Sequence, residues 1–136
     1  MNVFMQAALE AAKEAVGSSE IPVGAVIVRG GEIIARAHNR KEASHDPTAH
    51  AEILAIRHAA EALGDWRLSD CDLYVTLEPC PMCTAAIREA RIRRLYFGAF
   101  KPQDAPSPQS PETYCGIEED ACTQLLQDFF QKRRSL

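Results

Sequence analysis

Four side chains in this chain have the types and spacings to hold one metal ion and move protons beside it. They are His50 and Glu52 in the run His50-Ala51-Glu52, and Cys80 and Cys83 in the run Pro79-Cys80-Pro81-Met82-Cys83. Two cysteines three apart at the start of a helix place both sulfurs on one face, where they can grip a single ion. Helix N-terminal amides favour negative charge, so thiolates are expected there. An imidazole supplies a neutral nitrogen. One nitrogen and two sulfurs suit Zn2+, one ion per subunit, and leave the fourth tetrahedral position to water. Structural zinc sites are instead closed by four protein ligands.

Glu52 is the acid–base candidate. Residues two apart on an ideal helix point about 200° away from each other, so His50 and Glu52 cannot both bind one ion comfortably. In a first turn, however, both can reach a pocket beyond the helix end. There a carboxylate can take a proton from water and pass it to a leaving amine. Each half of this pattern has a plainer reading: a lone CxxC is often structural zinc or a redox pair, and a lone HxE is weak. A redox reading leaves His50 and Glu52 unexplained. Of the other histidines, His58 lies about two turns further along its helix, and His45 is the only plausible fourth ligand.

These residues need particular elements to position them. Residues 3–16 read as a helix, with Phe4, Ala8, Ala11 and Ala15 at helical spacing and Gly17 as its terminator. Pro22 opens a buried strand, Val23 to Val28. Arg29-Gly30-Gly31-Glu32 reads as a tight hairpin turn into a second strand, Ile33 to His38. After a polar loop, a helix runs from about Ala49 to Leu63 and ends at Gly64. Asp72 to Leu77 is a third strand, followed by a helix from Pro81 to Ala90. Arg93 to Ala99 is a fourth strand. Residues 101–112 hold Pro102, Pro106, Pro108 and Pro111 and read as an irregular loop, followed by a helix from about 118 to 134. The expected fold is α/β, three layers (α/β/α) around a mixed central sheet. The helices near Ala49 and Pro81 should lie side by side, with both N-termini at one sheet edge.

Bulk properties narrow the rest. The chain has 136 residues and 46% hydrophobic content, enough for one domain with a core, so residues 1–136 read as a single catalytic domain. No stretch approaches the roughly 18 apolar residues of a membrane helix, and the first residues do not resemble a secretory signal. The expectation is a soluble cytoplasmic protein. Five cysteines, an odd number, argue against a disulfide framework. The net charge of -4 does not advertise nucleic-acid binding across the whole surface. Basic residues do cluster locally, at Arg88/Arg91/Arg93/Arg94 and Lys132-Arg133-Arg134, as a solvated face or a phosphate-binding patch.

Taken together and in this order, HxE followed by PCxxC matches the signature of zinc-dependent nucleobase deaminases. The chain resembles the cytidine/deoxycytidylate deaminase superfamily, and within it the branch that makes inosine at the wobble position of tRNA. The resemblance is carried by Ile21 to Val26, Asn39-Arg40, His45 to Ile53, Leu73 to Cys83, Ala90-Arg91-Ile92, Phe97-Gly98-Ala99, and Asp128-Phe129-Phe130 with the basic residues that follow. It implies that His50, Cys80 and Cys83 hold zinc and that Glu52 shuttles protons. It implies that Asn39, helped by the backbone amide of Ala51, hydrogen-bonds a flipped base; a turn-forming role for Asn39 is the alternative. Ile21, Pro22 and Val23 would wall the pocket. Phe129 and Phe130 would meet the tRNA anticodon loop, where unpaired bases stack on aromatics; anchoring the last helix in the core is their other reading. The resemblance also implies a homodimer.

One region departs from the family pattern. After Phe97-Gly98-Ala99 the family usually has an acidic residue and a Gly-rich segment. This chain reads Phe100-Lys101-Pro102-Gln103-Asp104-Ala105 and reaches Tyr114 roughly a dozen residues early. The short segment and the acidic charge favour deamination of a free base, nucleoside or nucleotide, of guanine or cytosine type. The His45–Ile53 and Leu73–Cys83 runs and the basic tail favour tRNA. A catalytically silent zinc partner would be expected to lack the carboxylate that Glu52 supplies.

Overall fold

The computed structural model describes residues 2–101 and 111–134, the side chains of Arg133 and Arg134 excepted. The elements run α1 (Val3–Lys13), β1 (Gly24–Arg29), β2 (Glu32–His38), α2 (Ala51–Leu63), β3 (Cys71–Leu77), α3 (Pro81–Glu89), β4 (Arg94–Ala99), β5 (Glu112–Tyr114) and α4 (Glu119–Arg134). Local chemistry sets most of these limits. The Asn2 side chain caps α1 by accepting from the Met5 amide at 2.8 Å. Gly30 and Gly31 both have positive φ, 57° and 81°, which a two-residue hairpin turn between β1 and β2 requires. The helix expected over 3–16 closes earlier, at Lys13. The amides of Glu14, Ala15 and Val16 bond three residues back instead of four, a tighter winding that unrolls the chain into Gly17.

The sheet order is β2-β1-β3-β4-β5. β1 is antiparallel to β2 and β3, whereas β3, β4 and β5 are mutually parallel, so the sheet is mixed as expected. β5 was not foreseen. Three residues are too short for a periodic signal. They are held by the Arg94–Glu112 ion pair at 2.9 Å and by Tyr114 stacking on Tyr96, which stacks on Tyr74. Most of the predicted proline-rich loop, with Pro102, Pro106 and Pro108, lies outside the described residues.

Alternation along the strands builds two cores. Ala25, Ile27, Leu73, Val75, Leu95 and Phe97 face one side and meet Ala51, Ala55 and Ala59 of α2 and Ile87 of α3. Val26, Val28, Tyr74 and Tyr96 face the other and meet Met5, Ala8 and Leu9 of α1 and Cys122 of α4. This is the α/β/α layering that the sequence implied. At Gly24 the backbone of α1 approaches so closely that an added Cβ would lie 2.5 Å from the Ala12 amide nitrogen and closer still to the Ala8 carbonyl. Among the described residues, no helix is long and apolar enough to cross a membrane.

The topology gathers particular segments at one edge. β3 and β4 end there, β1 begins there and β2 ends there. The residues before β1 (21–23), those after β2 (39–50) and those after β4 (100–101) therefore converge with the N-termini of α2 and α3. The crevice outside the carboxyl ends of parallel strands is where open α/β sheets bind ligands.

Candidate active site

His50 occupies the N-cap of α2 in extended conformation (φ -79°, ψ 152°), and its side chain makes no capping bond. Its ring leaves the chain before the helix begins, so the 200° separation from Glu52 on an ideal helix does not apply. Cys80 holds the equivalent N-cap of α3, and Pro81 follows at the first helical position, where no amide hydrogen is required. Cys83 enters one turn later. His50 Nδ1 lies 3.7 Å from Cys80 Sγ and 3.5 Å from Cys83 Sγ. A tetrahedral zinc with ordinary Zn–N and Zn–S bonds would set these separations at about 3.6 Å. The three ligand atoms all lie within 4.8 Å of one another, and among the described residues no other His, Cys, Asp or Glu joins the group. His45, the possible fourth ligand, is exposed in the loop before α2.

The electrostatics fit a metal centre. Burial, then Lys41 and Lys101, lower the His50 pKa below its ordinary value, which keeps the imidazole neutral and able to bind a metal. Burial, then the neighbouring Glu52 and Cys80, push the Cys83 thiol far up. Cys83 is completely buried, so binding a cation is what favours its thiolate there.

Glu52 is buried and hydrogen-bonded to Cys83, so its carboxyl lies beside the metal ligands. Burial raises its pKa, opposed by its own backbone amide, Cys83 and Lys101. A carboxyl raised in this way is suited to carry a proton near neutral pH.

A cavity of about 410 Å³ opens over these groups and is lined by His50, Glu52 and Cys80. That is within the range of small-molecule sites, about 300–1,000 Å³. Ile21, Val23, Asn39, Phe129 and Phe130 line it too. Pro22 does not. Successive side chains in extended backbone face opposite ways, so Pro22 turns into the core while its neighbours face the cavity. Asn39 and Ala51 bond each other: the Ala51 amide donates to Asn39 Oδ1 at 2.8 Å, and Asn39 Nδ2 donates to the Ile21 carbonyl at 3.2 Å. The physical reason is the cap. His50 is committed to the ligand cluster, so Asn39 caps α2 from another segment by accepting from the Ala51 amide.

Glu20, Lys41, Glu42, Glu78 and Lys101 also line the cavity and were not singled out as site residues from the sequence. The Glu20 carboxylate accepts from the amides of Glu42 (3.3 Å) and Ala43 (2.7 Å), and Glu78 accepts from the Lys101 amide at 2.9 Å. Lys41, Glu42 and Lys101 lie at the same rim. Only Glu78 offered a hint, as a charged residue inside an otherwise apolar strand end next to Pro79-Cys80.

An open nitrogen-and-two-sulfur centre at the carboxyl edge of parallel strands is of the hydrolytic kind, distinct from a closed structural zinc site. Comparison with known proteins makes the class specific. The cytidine and deoxycytidylate deaminase zinc-binding region matches residues 1–99, and the chain belongs to that family. It is similar to the tRNA-specific adenosine deaminase of Agrobacterium fabrum, with 46% identity over 143 aligned positions, covering 96% of this chain and 94% of that protein. A solved structure from studies of A-to-I editing by tRNA:A34 deaminases matches with TM-score 0.85 and 47% identity, covering 90% of this chain and 98% of the other. The guanine deaminase of Nitrosomonas europaea matches with TM-score 0.82 and 26% identity, covering 93% and 82%.

Proposed function

We propose that this chain converts adenosine to inosine at the wobble position of a tRNA anticodon loop, releasing ammonia. The observation that carries the reading is the reach of α4. Phe129 and Phe130 line the same cavity as His50 and Glu52, which offers a stacking surface beside the reaction centre that a free base does not need. The near-full-length similarity to tRNA-specific relatives supports it further.

When bound by His50, Cys80 and Cys83, zinc supplies a Lewis acid that makes a water nucleophilic near neutral pH. Glu52 accepts the proton from that water as the C6–O bond forms. The same carboxyl then delivers a proton to the exocyclic nitrogen, the C6–N bond breaks and ammonia leaves. Asn39 retains one amide hydrogen for the base edge, while Ile21 and Val23 exclude water from its faces. Residues 1–136 act as one catalytic domain. The working form is a cytoplasmic homodimer with helices of both subunits framing the RNA.

The resemblance to a guanine deaminase at TM-score 0.82 favours a second reading, deamination of a free base. Incubation with unmodified tRNA and a panel of bases and nucleosides separates the two. Inosine appearing only in tRNA supports the first, and turnover of a free base alone overturns it. Glu52→Ala should retain zinc and lose at least about 100-fold in rate. Undiminished turnover in that variant would remove Glu52 as the proton carrier.

A further inference from the structure

The chain is acidic overall, with 19 Asp and Glu against 15 Lys and Arg. Six of its described cations have carboxylate partners: Lys13, Arg29, Arg36, Arg67, Arg93 and Arg94 each form an ion pair. Lys41 and Lys101 do not, among the described residues, and both line the cavity above the metal ligands. They arrive from opposite sides. Lys41 follows β2 and Lys101 follows β4, and in the sheet these strands are separated by β1 and β3. Three strand spacings put the two strand ends about 14 Å apart, with the cavity between them. Both ammonium groups act on His50, and Lys101 also acts on Glu52, so their charge is felt inside the site.

Two of the three glutamates at the rim hold the backbone that carries these lysines. Glu20 grips the amides of Glu42 and Ala43, directly after Lys41, and Glu78 grips the amide of Lys101 itself. The third, Glu42, lies beside Lys41 in the chain. Each lysine thus stands on a segment pinned by a carboxylate, while its own ammonium has no carboxylate partner among the described residues. Phe129 and Phe130 line the same cavity. Unpaired cations beside aromatic platforms are the composition of a single-stranded nucleic-acid channel.

From this arrangement we propose that Lys41 and Lys101 form a two-point phosphate clamp, receiving the phosphodiesters that flank the reacting nucleoside and so selecting a polynucleotide over a free base or mononucleotide. The clamp rests on the reading of the substrate as a base within an RNA strand.

The test uses zinc-loaded protein carrying Glu52→Ala, which binds without turnover, titrated with a short anticodon stem-loop RNA between 50 and 200 mM KCl. Each single-stranded phosphate contact contributes about 0.7 to the log–log salt slope. Lys41→Gln and Lys101→Gln should each lower the slope by about 0.7, weakening binding about eightfold at 50 mM and about threefold at 200 mM. Lys41→Arg and Lys101→Arg should restore the slope, with zinc content and melting temperature unchanged throughout. Adenosine and adenosine monophosphate serve as competitors and should displace the RNA weakly. Unchanged slopes in both Gln variants overturn the clamp. So does monophosphate competing as well as RNA with the same dependence on the two lysines. If the active enzyme makes inosine in tRNA and the slopes do not move, the clamp alone fails; if the active enzyme turns over only free bases, the tRNA reading fails with it.

Discussion

Replacing Asn39 tests whether the metal ligand's helix is held from outside. Asn39→Ala removes the acceptor for the Ala51 amide, and Ala51 is completely buried, so that donor is left without a partner. An unsatisfied buried amide costs about 1–3 kcal/mol, and loss of an N-terminal cap typically costs about 1 kcal/mol. These describe the same lost bond, so about 1.5 kcal/mol is appropriate. The bond from Asn39 Nδ2 to the Ile21 carbonyl adds about 0.5 kcal/mol. The metal-free protein should therefore lose about 2 kcal/mol, a fall of about 6–10 °C in melting temperature for a chain of this size. His50 immediately precedes the uncapped amide, so zinc affinity should fall by about tenfold, within the range for lost outer-sphere support. Asn39→Asp provides the control. It keeps an acceptor for the Ala51 amide and places negative charge at a helix N-terminus, where charge is favourable. It should stay within about 1 kcal/mol of wild type while losing turnover, because the amide donor facing the cavity is gone. The assays are urea denaturation of the metal-free proteins and chelator competition for zinc. Wild-type stability in Asn39→Ala, or an equal loss in Asn39→Asp, would refute the capping argument.

Two further outcomes follow from burial. In the metal-free protein, burial raises the Glu52 pKa above its usual 4.5. An acid raised on folding stabilises the fold below its unfolded pKa and loses that contribution as pH rises through the folded value. Glu52→Gln, which cannot ionise, should therefore be more stable than metal-free wild type at pH 7.5, and the gap should close towards pH 4; equal urea midpoints at pH 7.5 contradict this. Gly24→Ala would drive a methyl group into the Ala8 carbonyl and the Ala12 amide, which are helix backbone and cannot rotate away. It should cost about 1–3 kcal/mol or more by displacing α1. Gly30→Asn, at φ 57° with open space around it, should cost far less by the same denaturation assay.

Short-range chemistry is what the sequence by itself determined. Helix and strand limits near Gly30-Gly31, Gly64 and Pro81 follow from backbone preferences a few residues long. The runs His50-Ala51-Glu52 and Cys80-Pro81-Met82-Cys83 mark a metal site because the ligand types and helix-start positions are themselves local. The succession of strands and helices after an opening hairpin likewise indicated an α/β/α domain around a mixed sheet. The tertiary structure alone decided which distant groups meet. It brings His50 within 3.7 Å of a sulfur thirty residues away, caps α2 with Asn39, turns Pro22 away from the cavity, and pins Lys41 and Lys101 on opposite rims. It also buries Cys83 completely, which pushes its thiol up where a helix-start position alone would favour the thiolate. The reason in each case is the same. Side-chain direction and desolvation depend on sheet order and on which segments converge at its edge, and those are properties of contacts between residues far apart in the chain.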